Sequence, residues 1–231
     1  MGGLILSIET SSPCSSAAIS DPDRVLAEAT FTMASEGGRR LPPAIRRMMD
    51  DLGLGFRDFS AIACSQGPGS FTGLRIGLSL AKTLALANGI PLYAAGSLLL
   101  VAYNACRSSD EIYPLLDARR GEVYAAGYRF GGNRFIETMC PTVIAPEALD
   151  PLLPDRAVLV GEGAIRYQGE FLESGPRFRT IAQLSLALPR ASRLAELVHR
   201  GFLSAYVGDV MAIEPLYIRR PEAELRWKGE R

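Results

Sequence analysis

The 231-residue chain carries 25 basic and 25 acidic side chains, a formal net charge of zero, and is 48% hydrophobic and 22% charged. A chain of this size and composition can bury most of its apolar surface in one large or two small domains. It lacks the overall positive field that draws proteins non-specifically onto nucleic acid or anionic membrane, so such a role would need a local patch. In chain order, short apolar runs at residues 4–8 and 16–20, separated by the polar loop Glu9-Thr10-Ser11-Ser12-Pro13, predict paired strands, and 25–31 adds a third. The first basic residue is Arg24, so the apolar start has no charged n-region and is expected to be a strand rather than a leader. Leu41, Ile45, Met48 and Leu52 recur at i, i+4, i+7 and i+11, the stripe of an amphipathic helix, with Arg46, Arg47 and Asp50 off it. Pro42 and Pro43 fall in its first turn, where a missing amide donor is harmless. Residues 62–65 predict a strand running into Gly67-Pro68-Gly69, and a helical pattern follows over 70–87. Strands are expected at 90–94 and 112–117, with a Leu-rich helix over 97–105 between them. The uncharged stretch from Thr83 to Cys106 is long enough for a membrane span, but Asn88-Gly89-Ile90-Pro91 and Gly96-Ser97 cut it into helix, strand and helix.

The second half changes character. Arg119-Arg120-Gly121 reads as a turn joining a strand ending Leu115-Leu116-Asp117 to one beginning Glu122-Val123-Tyr124. Residues 134–140 predict another strand, Val158-Leu159-Val160-Gly161 a buried strand ending at a turn, and 192–200 a helix stopped by Gly201. No repeat or low-complexity tract is visible, and the boundary falls near residue 105, dividing the chain into lobes at 1–105 and 106–231. Strands followed by alternating helices and strands point to an α/β or α+β chain of two lobes. The cysteines Cys14, Cys64, Cys106 and Cys140 stand 50, 42 and 34 residues apart, with no CxxC pair, which fits a reduced, cytoplasmic compartment.

The most informative stretch is Gly67-Pro68-Gly69-Ser70-Phe71-Thr72-Gly73-Leu74-Arg75-Ile76-Gly77, at a strand-to-helix turn. Such a turn can cradle phosphate on free amides. The named phosphate motifs fail here, because no Lys follows the glycines and Thr72 stands where a dinucleotide fingerprint needs Gly. Gly69, Gly73, Gly77, Ala81 and Ala85 recur every four residues, one ridge of minimal side chains. Each interior glycine costs a helix about 1 kcal/mol relative to alanine, so a close tertiary contact must offset it. That contact lies either inside the fold or across a subunit interface. His199 is the only histidine, so no paired-histidine zinc site can be built, and with no GxSxG elbow a Ser-His-Asp triad lacks support. Glu9, Asp117 and Glu122 fall at ends of predicted strands, where catalytic carboxylates often sit, although turn and surface roles are commoner.

The glycine-rich segment 67–77, together with Asp117-Ala118-Arg119-Arg120-Gly121-Glu122-Val123-Tyr124, Glu214-Pro215-Leu216-Tyr217-Ile218-Arg219 and the start Leu6-Ser7-Ile8-Glu9-Thr10-Ser11, resembles the TsaB (YeaZ) family. The matching residues are Gly67, Pro68, Ser70, Phe71, Thr72, Arg75, Asp117, Arg119, Gly121 and Glu122. The resemblance implies a two-lobed fold of the actin-like, sugar-kinase and Hsp70 (ribonuclease H-like) type with a reduced C-terminal lobe, whose last segment packs back on the first. It implies an accessory, non-catalytic subunit in forming N6-threonylcarbamoyladenosine at position 37 of tRNAs reading ANN codons, one that pairs with TsaD, supports TsaE binding, and forms a homodimer when alone. Partner contacts are expected on two helices, through Leu41, Ile45, Met48 and Leu52 and through Gly69, Gly73, Gly77 and Ala81. The resemblance implies no catalytic residue, no metal, no cofactor of its own and no membrane contact; tRNA would be held mainly by the complex, and ATP or ADP is left to the junction with the partner. Two departures stand out: Glu9 replaces an Asp common in relatives, and Glu36-Gly37-Gly38 stands where relatives carry His. The rival reading is an enzyme of the same superfamily, a small-molecule kinase, an ATPase or a glycoprotease-like hydrolase.

Overall fold

The structure, a computed structural model, describes residues 3–32, 37–106, 110–131, 134–173, 179–181, 184–206 and 209–219; Glu36, one of the two departures above, lies outside them. The chain begins with β1 (Leu4–Glu9), β2 (Cys14–Ser20) and β3 (Val25–Thr32), an antiparallel meander. Then come α1 (Gly37–Leu52), β4 (Phe59–Gly67), α2 (Phe71–Asn88), β5 (Leu92–Gly96) and α3 (Ser97–Tyr103). β4 pairs in parallel with β1, and β5 with β4, giving the order β3-β2-β1-β4-β5. The second half supplies β6 (Ile112–Arg119), β7 (Glu122–Gly131) and β8 (Arg134–Ile144), again antiparallel. It continues with α4 (Pro146–Leu149), β9 (Val158–Val160), α5 (Glu162–Arg166), α6 (Gln168–Glu173), β10 (Arg179–Ile181), α7 (Leu184–Ala187) and α8 (Ala191–His199). Here β9 lies parallel to β6 and β10 parallel to β9.

Read from the meander edge, the second sheet is β8-β7-β6-β9-β10, the first sheet's order with every strand advanced by five. The two halves are therefore one topology used twice, a repeat that the sequence conceals. The difference lies in the crossovers: the 16 residues of α1 correspond to the four of α4, and the 18 of α2 to the five and six of α5 and α6. Elements of three to six residues are too short to show a hydrophobic period, which is why β10 and α4 to α7 have no sequence signal.

Side chains of β1 alternate between two cores. Leu6 and Ile8 pack with Leu41, Ile45, Met48 and Met49 of α1 and with Leu78, Ala81 and Ala85 of α2. Ile5 faces the opposite side, with Leu100 and Tyr103 of α3 and Leu194, Leu197 and Val198 of α8. Burying each of these large side chains contributes about 1.5–3 kcal/mol. Helix α3 is also shared with the second sheet, where Leu98, Val101 and Ala102 meet Ile112, Leu116, Val158 and Val160. Helix α8 returns to the first sheet, and its N-terminus is capped from other strands: Ser16 Oγ accepts from Ala191 N at 3.0 Å, and Glu28 accepts from Ser192 and pairs with Arg190 at 3.0 Å. These groups satisfy helix amides that have no intrahelical partner. The uncharged stretch around Asn88 folds as the end of α2, β5 and α3; no described helix is long and apolar enough to cross a membrane.

Candidate functional site

The three motifs singled out in the sequence meet at one junction. β4 ends at Gly67, whose left-handed φ of 110° no side chain tolerates easily, and Ser70 caps α2 by accepting from Gly73 N at 3.2 Å. One turn on, the Arg75 guanidinium lies 3.9 Å from the Phe71 ring centroid, and Phe71 stacks on Tyr217 at 5.0 Å. Arg75 Nε also donates to the Tyr217 hydroxyl at 3.2 Å. The segment 214–219 thus lies along the N-terminal end of α2 as a strap. Its Leu216 N donates to the Gln66 carbonyl at 2.6 Å, and a Cβ on Gly67 would sit 2.8 Å from the Leu216 carbonyl oxygen. The strap then crosses to the second sheet, where Arg219 donates to the Ala118 carbonyl at 2.7 Å and pairs with Glu122.

The β6–β7 turn that receives Arg219 is built by its own sequence. Arg120 and Gly121 have φ of 58° and 78°, the two positive values of a type I′ hairpin, and Arg119 pairs with Glu122 across it. Asp117 Oδ1 accepts from Arg119 N at 2.9 Å, and its carboxylate takes Arg166 at 3.2 Å. Asp117 therefore holds the turn and Glu122 anchors the strap.

The β1–β2 turn sits against the start of α2. Glu9 is fully buried; its Oε1 accepts from Ser11 N and from Ser65 Oγ, each at 2.8 Å, and from Ser11 Oγ, while Oε2 has no partner. Burial is the dominant influence and raises the Glu9 pKa to about 7 against those hydrogen bonds. Cys14, at the same turn, has its thiol pushed up by burial and by the charges of Glu162 and Glu9. A metal-nucleotide would need an accessible carboxylate and free amides, whereas Glu9 is sealed and has taken the Ser11 amide for itself. Among the described residues there is also no group of three His, Cys, Asp or Glu side chains placed to hold a metal.

The glycine ridge is filled from within the chain. A Cβ on Gly69 would lie 2.1 Å from the Ser11 carbonyl oxygen, and one on Gly77 would lie 2.1 Å from Thr10 Oγ1. Gly73 is buried, Ala81 is fully buried, and Ala85 is 1% exposed. Gly69 and Gly77, expected at a partner, meet the β1–β2 turn of the same chain, Ala81 packs in the first sheet's core and Gly73 is buried. The same holds for Leu41, Ile45 and Met48, which are in the core; of that stripe only Leu52, 37% exposed, reaches solvent. An amphipathic stripe marks the face a helix buries, and here the nearest apolar surface is the chain's own sheet. The faces left outward are Arg46, Arg47, Asp50 and Asp51 on α1, and Thr72, Arg75, Ser79, Thr83 and Leu86 on α2, with Leu86 63% exposed. Sequence reasoning does not pair Arg75 with Tyr217, because nothing local links residues 142 positions apart.

Two sheets of one topology, joined by shared helices and a C-terminal strap, define a two-lobed protein of the actin-like, ribonuclease H-like class. ROK hexokinase from Thermus thermophilus shares this fold with a TM-score of 0.50 at 14% identity, covering 86% of this chain and all of that one. YeaZ from Pseudomonas aeruginosa superposes with a TM-score of 0.76 at 26% identity, over 93% of this chain and 99% of that one. The family model described as TsaD, tRNA N6-adenosine threonylcarbamoyltransferase, matches residues 32–201. The tRNA threonylcarbamoyladenosine biosynthesis protein TsaB of Bacillus subtilis strain 168 is 33% identical over 226 residues, 96% of this chain and 97% of that protein. The chain belongs to the TsaB (YeaZ) family.

Proposed function

We propose that this chain takes part in N6-threonylcarbamoyladenosine formation on tRNA as an accessory subunit that binds a TsaD-type transferase and contributes surface rather than chemistry. The observation that carries this reading is the end-to-end match to a protein named for that biosynthesis. The site supports it. Asp117 and Glu122 are occupied in holding a turn and a strap, Glu9 is sealed, and a single histidine cannot make a paired-histidine metal site. The outward faces of α1 and α2, rather than their buried stripes, are the surface offered to the transferase, or to a second copy when the chain is alone. TsaE would then join the assembled pair, and any ATP or ADP would be held at the junction with groups from the partner. The test is reconstitution of threonylcarbamoylation with TsaD, TsaE, a threonylcarbamoyl-adenylate source and tRNA, with and without this chain. Loss of product in its absence is expected; full product without it overturns the reading. Robust ATP hydrolysis by the isolated chain, abolished by Glu9→Gln or Asp117→Asn, would instead make it an enzyme.

A further inference from the structure

A second site lies away from the motif junction. In the β1–β2 ladder Glu9 pairs with Ser16 whereas Ile5 pairs with Ser20, so the turn after Ser20 is at the opposite end of the first sheet from the β1–β2 turn. There a cavity of about 590 Å³ separates the turn Asp21–Val25 from the polar face of α8, a volume in the range of small-molecule sites. It is lined by Arg24, Arg190, Arg193, Arg200 and His199 against Asp21, Asp23 and Glu196.

These guanidiniums hold their partners lightly. Arg193 and Arg200 converge on one carboxylate, Glu196, at 2.8 and 3.2 Å, and Glu196 also accepts from Tyr103 at 2.6 Å. Around the cavity Arg190 is met by Glu28 and Arg24 by Asp21, with Asp23 also in the lining, so Arg193 and Arg200 share a single carboxylate. Arg24 reaches Asp21 only at 3.6 Å, while Asp21 Oδ1 is committed to the amides of Asp23 and Arg24. With side chains 60% and 76% exposed, Arg200 and Arg24 form solvent-screened surface pairs, readily exchanged for a better acceptor. Ser20 Oγ and His199 Nε2 lie 3.0 Å apart beside them, and His199 Nδ1 is shut from solvent without a partner. Guanidinium forks and an imidazole suit the oxygens of a phosphate in both geometry and charge. Among the described residues no aromatic ring other than that imidazole lines the cavity, which suits the phosphate end of a ligand better than a stacked base.

We infer that this cavity is a binding site for a phosphate or diphosphate group, held by Arg24, Arg193 and Arg200 with the Ser20–His199 pair. The test is titration of the ¹⁵N-labelled full chain with sodium pyrophosphate at constant ionic strength, following the amides of residues 21–25 and 192–200, beside an arm with a single-stranded RNA oligonucleotide. Saturable shifts at those amides with pyrophosphate are expected, weakened about tenfold by Arg200→Ala or Arg24→Ala, the cost of one charge-assisted hydrogen-bonding group. Both positions are exposed enough for the variants to fold, which their circular dichroism verifies. Unmoved amides, shifts that both variants retain unchanged, or shifts produced by RNA but not by pyrophosphate would overturn the assignment.

Discussion

At the residue scale, Glu9 and Gly77 do the most defined work. The folded Glu9 carboxyl titrates near 7 and the unfolded one near 4.5, so the native state binds the proton more tightly. The Glu9 contribution to stability therefore falls as pH rises from 4.5 to 7, by on the order of 3 kcal/mol, and is level above and below that window. Glu9→Gln keeps an acceptor at Oε1 and removes the buried charge. Its urea-unfolding free energy should lose most of this slope and exceed that of the parent at pH 8. A variant curve parallel to the parent's would refute the account. Gly77 needs no left-handed backbone; it is glycine because Thr10 occupies the space of a Cβ. Gly77→Ala should cost at least about 2 kcal/mol by overpacking, and Gly77→Leu should prevent folding rather than merely separate subunits. Denaturation of the Ala variant and the solubility of the Leu variant measure this.

At the element scale, the strap and the first two helices act as units. Arg219→Ala removes the hold on Ala118 and Glu122 but leaves Tyr217 on Phe71. Chymotryptic cleavage at Tyr217 should become several-fold faster, with Tm changed by only a few degrees because few core contacts are lost. On α1, Arg46 and Arg47 pair with Asp50 and Asp51 on the exposed face, at 3.0 and 3.6 Å. Reversing both to Glu should cost under about 1 kcal/mol of stability. It should nevertheless abolish co-purification with a TsaD-type partner if the outward face of α1 is the docking surface; retained binding would move that surface elsewhere. These helices show how far sequence reaches. The Leu41-Ile45-Met48 stripe places α1 and the helical pattern over 70–87 places α2, but α1 starts at Gly37, so Pro42 and Pro43 lie in its second turn rather than its first. The same stripe cannot say whether it meets its own sheet or another chain, because apolar periodicity records burial and not the identity of what buries it.

At the scale of the whole molecule, neutrality and duplication set the behaviour. With 25 charges of each sign and no net field, the isolated chain should give no tRNA band shift at physiological salt, whereas its complex with a transferase should. A tight, salt-sensitive shift by the chain alone would contradict this. The sequence by itself determined β1 to β9, the helices α1, α2, α3 and α8, the Arg120-Gly121 hairpin and the family, because each of these is written in local periodicity, turn chemistry or a contiguous motif. Tertiary structure alone decided that the halves repeat one topology, that Ser16 and Glu28 cap α8, that Arg75 meets Tyr217, and that Arg219 meets Glu122. It also decided that the glycine ridge closes on Thr10 and Ser11. Each of those outcomes depends on pairing residues tens to more than a hundred positions apart, and local free-energy preferences carry no record of a partner that only chain closure brings near.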